Sequence, residues 1–83
     1  MTTETALRNF EKRGVCLFIV FDYRITNRWK IECLVSQTKP TTDDWVLRGN
    51  AMLNPIGNKF NSRSEAELQV ESIGESICNA YGY

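Results

Sequence analysis

The side chains with the most chemical potential in this chain are three cysteines and a set of carboxylates. Cys16, Cys33 and Cys78 are odd in number and far apart. No C-x-x-C pair exists, so neither a zinc site nor a dithiol redox motif has the spacing it needs. The three thiols read as small buried hydrophobes in a reducing compartment. A reactive thiolate needs a neighbouring base or cation, and the chain contains no histidine. The same lack removes Ser-His-Asp and Cys-His nucleophilic arrangements and the zinc-protease motif. Asp43 and Asp44 adjoin in a polar stretch, and the glutamates beyond residue 62 read as a solvated helix face. The glycines, at 14, 49, 57, 74 and 82, are scattered and build no phosphate-cradling loop. No catalytic, cofactor-binding or metal-binding residue is assigned, and the expectation is a non-enzymatic protein.

The chain that must position these groups has 83 residues, read as a single domain, 1–83. A domain of this size buries only about 60% of its unfolded surface, so modest stability is expected. Ten basic and ten acidic residues cancel. A protein that holds nucleic acid by charge alone usually carries a basic excess. The balance is uneven: after residue 61 stand four glutamates and one arginine, leaving the first part of the chain net positive. The apolar run 15–21 is far shorter than the roughly 20 residues of a membrane span. Met1-Thr2-Thr3-Glu4 lacks the features of a signal peptide. A cytoplasmic protein with no membrane partner is expected.

Thr2 or Thr3 can cap a first helix running to about Lys12, with Ala6, Leu7 and Phe10 as its apolar stripe and Gly14 ending it. Residues 15–35 then form a hairpin. A three-residue loop, Ile25-Thr26-Asn27, sets Tyr23 opposite Trp29, Phe21 opposite Ile31, Ile19 opposite Cys33 and Leu17 opposite Val35. The other face pairs Asp22 with Lys30 and Phe18 with Leu34. Asn27 suits the left-handed position ending such a loop. A polar loop over 36–44 and a third strand over 45–53 follow, then an Asn54-Pro55-Ile56-Gly57 turn. Ser62-Arg63-Ser64-Glu65 is a capping box for a last helix, with Ala66, Val70, Ile73, Ile77 and Tyr81 as its buried stripe and Gly74 off it. The expected fold is α+β: helix, three-stranded antiparallel meander, helix, with both helices packed mainly on the Phe21/Tyr23/Ile31/Trp45 face. Ile31, Phe21 and Ile73 are expected to be buried.

That arrangement leaves the even-numbered sheet face for a partner. Phe18, Val20, Leu34 and Met52 supply apolar anchors there; Arg24, Arg28, Lys30 and Arg48 supply a basic margin. Apolar surface of this kind marks partner sites. The expected partner is another protein, with the chain acting as an inhibitor, adaptor or accessory subunit. A homodimer through this face is one alternative, and cover by the first helix or the 37–44 loop is another. The element order is similar to that of double-stranded-RNA-binding domains. Those carry a lysine cluster at the start of the last helix, where this chain has Ser64-Glu65-Ala66-Glu67, so none of their residues carries over. A DNA- or RNA-binding domain using basic residues on the sheet is the second functional reading.

Overall fold

The computed structural model describes residues 2–36, the backbone of 51–53, and 59–83. Helix α1 spans Thr3–Lys12 and helix α2 spans Arg63–Tyr81. Between them run strands β1, Val15–Asp22, and β2, Arg28–Val35, followed by a three-residue strand β3, Ala51–Leu53. The chain is α+β with an antiparallel sheet. The expected three-stranded meander is corrected. The sheet is in substance a two-stranded hairpin in an α-β-β-α order, and β3 adds only a short rung beside Cys33–Val35. The other end of β2 is bordered by a different segment. There Trp29 exchanges both backbone hydrogen bonds with Phe60, at 2.9 and 2.8 Å. Phe60, past the expected third strand, thus borders the far end of β2 as an isolated bridge and not as part of a meander strand. The expected 36–44 loop beyond Ser36, the 45–50 part of the third strand, the 54–57 turn and Arg48 lie outside the described residues.

The helices start where the sequence caps them. The Thr2 hydroxyl accepts from the Thr5 N–H at 3.1 Å, and Ser62 Oγ accepts from the Glu65 N–H at 3.2 Å. Glu65 returns the favour one residue further out, accepting from the Asn61 N–H at 2.9 Å. Gly14, at φ 99°, ends α1 and turns the chain straight into β1. Its carbonyl accepts from Ser36 N–H at 2.8 Å, which closes the root of the hairpin.

Ala6 and Phe10 of α1, and Ala66, Val70 and Cys78 of α2, pack on Val15, Leu17, Ile31, Cys33 and Val35. All five strand residues are odd-numbered, so both helices lie on that face. The buried stripe of α2 differs from the expected one. It runs through Ala66, Val70, Gly74 and Cys78, with Ile73 and Ile77 half-buried beside it and Tyr81 exposed. Gly74 is at its centre because the Phe10 ring sits against it: a Cβ there would meet Phe10 Cε2 at 2.4 Å. The glycine thus permits a close helix–helix approach.

The hairpin register is also corrected. Val15 pairs with Val35, Leu17 with Cys33, Ile19 with Ile31, Phe21 with Trp29 and Asp22 with Arg28. This is a two-residue slip from the expected pairing, and the loop grows to five residues, 23–27. A slip of two keeps every side chain on its face, since the pleat repeats every second residue. The three-residue loop would have set Arg24 directly across from Arg28, a like-charge pair. The observed register sets Asp22 across from Arg28 instead. It also frees the Asp22 carboxylate to hold the turn, where it accepts from Arg24 N–H at 3.3 Å, Ile25 N–H at 3.1 Å and the Thr26 hydroxyl at 3.4 Å. Asn27 takes its left-handed place at φ 54°.

Candidate interaction surface

The hairpin is longer than the helices that cover it. Val15, Cys16 and Leu17 are buried; from Phe18 onward β1 is exposed or half-buried. On the even face Phe18 is 41% exposed, and Val20 and Leu34 are half-buried. Cys16, on the same face, is buried, its Sγ 3.6 Å from Glu11 Oε1. On the odd face Phe21 is 42% exposed, which corrects its expected burial; its ring meets Trp29 edge-on at 5.5 Å. Ile31 is fully buried and Ile73 only half-buried. The turn adds Tyr23 and Ile25, the latter 86% exposed. Four large apolar side chains are thus displayed on one end of the molecule.

The charged margin divides. Arg24 and Arg28 are exposed, and the Arg24 guanidinium lies 5.5 Å from the Tyr23 ring. Lys30 is tied down, 2.9 Å from Glu32 and 3.8 Å from Asp22. The Glu32 hydrogen bond holds the Lys30 pKa above its ordinary value. The Ile25 N–H, followed by Lys30 and the other turn donors, holds Asp22 below the usual carboxylate range. Lys30 is therefore already neutralised within the chain. Met52 stands in β3 at the root end, paired with Leu34, while Arg48 falls outside the described residues. Of the eight sequence-derived positions, Phe18, Val20, Arg24, Arg28 and Lys30 come together on the far half of the hairpin; Leu34 and Met52 lie at its root.

Sequence reasoning missed Phe21, Tyr23 and Ile25 as surface. The signal was Asp22. An aspartate two and three residues before Arg24 and Ile25 is an Asx-turn former, and it puts Tyr23 and Arg24 into the loop instead of the ladder.

The opposite end is tied together by polar contacts. Arg13 reaches Glu75 at 2.6 and 3.3 Å and the Tyr83 carbonyl at 3.1 Å, and the Tyr83 hydroxyl donates to the Ser36 carbonyl. These bonds join the end of α1, the end of β2 and α2. The Arg13 bond holds Glu75 below its ordinary pKa. The thiols are inert by position: burial, then the Glu11 carboxylate, pushes Cys16 up to about 12, and burial pushes Cys78 up. None of the three cysteines forms a disulfide. Among the described residues no group of acidic, cysteine or histidine side chains is placed to hold a metal ion, and no helix is long and apolar enough to cross a membrane.

Compared with known protein families, with characterised proteins and with solved structures, the chain has no significant match.

Proposed function

We propose that this chain is a small non-enzymatic binding protein of the inhibitor, adaptor or accessory-subunit kind, which engages another protein through the far half of its hairpin. One observation carries the reading: Phe18 on the even face, and Phe21, Tyr23 and Ile25 beyond the helices, are all exposed at one end of the molecule, with Arg24 and Arg28 beside them. Apolar and aromatic side chains with arginine are the usual anchors of protein interfaces. The three buried thiols, none of them in a disulfide, support a reducing, cytoplasmic setting. The nucleic-acid reading is weakened by Lys30, whose charge Glu32 and Asp22 already offset.

Photo-crosslinking in the native host tests the reading. A benzophenone side chain at Phe18 or Ile25 should capture a discrete protein, and the same probe at Leu68, an exposed apolar site on α2, should not. Arg28→Glu should weaken capture without unfolding the domain, and Phe18→Ala should weaken it more. A crosslink to RNA or DNA, lost steeply as salt rises, would replace the protein reading with the nucleic-acid one. Equal capture from all three positions would remove both.

A further inference from the structure

The edge of β1 is a separate feature from the faces of the sheet. Because Trp29 exchanges its backbone bonds with Phe60, its N–H and C=O point away from β1. Its partner Phe21 then points its own backbone groups away from β2, and by alternation so do Ile19 and Leu17. The outer edge of β2 is taken by Phe60 at one end and β3 at the other. The outer edge of β1 has no strand beside it among the described residues. Its root is covered, since Glu11 of α1 reaches Cys16 on the far face of the sheet. From Phe18 to Phe21 it is open among the described residues. Natural edges are usually blunted by lysine, proline or a bulge. This stretch, Phe18-Ile19-Val20-Phe21, has none of these.

We propose that this open edge pairs, antiparallel, with the same edge of a second copy, across a two-fold axis beside Val20. In that register Ile19 of each copy faces Phe21 of the other, and each such pair exchanges both of the backbone bonds that no described residue of the monomer makes with them. Only a β-strand satisfies such a row of groups, and three features make that strand this chain's own. The segment is apolar and free of charge, so it matches itself. The whole chain is electrically neutral, so copies do not repel one another. The register also brings the basic turn of one copy, with Arg24, toward the root of the other, where Glu11 sits. The proposal concerns the edge and is independent of the face reading above.

Sedimentation equilibrium from low to high micromolar concentration, with amide hydrogen exchange on the same samples, tests it. The mass should rise from 9.6 kDa toward twice that value. The Ile19 and Phe21 amides should exchange fast when dilute and slow when concentrated, while those of Phe18 and Val20, bonded to β2, stay slow throughout. A synthetic chain N-methylated at Ile19 loses only an outward donor, and should stay monomeric with an unchanged circular dichroism spectrum. Val20→Lys sets two ammonium groups side by side at the axis and should also stay monomeric, which keeps the test decisive if the N-methylated chain fails to fold. A wild-type chain of monomer mass at every concentration overturns the proposal. So does a dimer that persists in Val20→Lys, or one whose Ile19 and Phe21 amides remain fast.

Discussion

The two halves of the hairpin have nearly the same alternation of residue types but opposite surroundings. At the root, Val15, Leu17, Cys33 and Val35 disappear beneath Phe10, Val70 and Cys78. At the far end, Phe21, Tyr23 and Ile25 stand in water and Trp29 is only half-covered. The helices explain the difference. Helix α1 has only Ala6, Phe10 and part of Leu7 to give, and the stripe of α2 is made largely of small residues, Ala66, Gly74 and Cys78. Small residues draw the helices close together over the root, and little apolar volume is left to extend over the tip. The root half contributes stability, and the far half is available for contacts.

Four comparisons would break or sharpen that contrast. The largest effect should be in thiol reactivity. With the Cys16 pKa at about 12 against an ordinary 9, its thiolate fraction at a given pH falls about a thousandfold, and burial adds to the protection. A thiol introduced at the tip by Ile25→Cys should label at the rate of an unfolded peptide. Mass spectrometry of alkylated protein distinguishes the two, and equal rates would mean the root is not closed.

Core truncation comes next. Ile31→Ala should cost about 2–5 kcal/mol in urea denaturation, a large share of the total for a domain this small. Phe21→Ala, losing mainly its edge contact with Trp29, should cost about 1 kcal/mol or less. Comparable losses would erase the distinction between the halves. Gly74→Ala should cost about 1–3 kcal/mol, because Phe10 must give way. Combining it with Phe10→Ala should cost less than the two changes added together.

The smallest effect is electrostatic. Glu75 is held below its ordinary pKa by Arg13, so its contribution is complete above about pH 4.5 and is lost as pH falls through its folded value. Glu75→Gln should flatten the acid limb of the stability profile and leave its shape near neutrality unchanged. An acid limb that is the same in both proteins would show the ion pair to be unformed in solution.

Much of this was legible in the sequence wherever one local signal spoke alone. Thr2 and Ser62 cap the helices, Gly14 turns the chain, Asn27 takes the left-handed position, and hydrophobic alternation assigns every strand residue its face. The errors came where two signals competed or a distant residue intervened. The hairpin pairing slipped because apolar matching favoured the shorter loop, while Asp22's turn-forming carboxylate and the Arg24–Arg28 conflict favoured the longer one. The α2 stripe was drawn through its large residues, because spacing alone does not tell that Gly74 is needed opposite Phe10, 64 positions earlier. The meander was corrected because β3 borders β2 only at Cys33–Val35, while Phe60, beyond the expected third strand, takes the edge of β2 at Trp29. Of the candidate surface, the even-face residues followed from alternation. The tip residues did not, since their exposure depends on the register.

That register is therefore the point on which the account turns, and cross-strand proton contacts measure it. In an antiparallel ladder the non-hydrogen-bonded pairs bring their Cα protons close together. Nuclear Overhauser effects should link the Hα of Ile19 to that of Ile31, and the Hα of Phe21 to that of Trp29. Effects linking Phe21 to Ile31 and Tyr23 to Trp29 would contradict the account. They would draw Tyr23 into the ladder, shorten the loop to 25–27, and remove the exposed tip on which the proposed contacts depend.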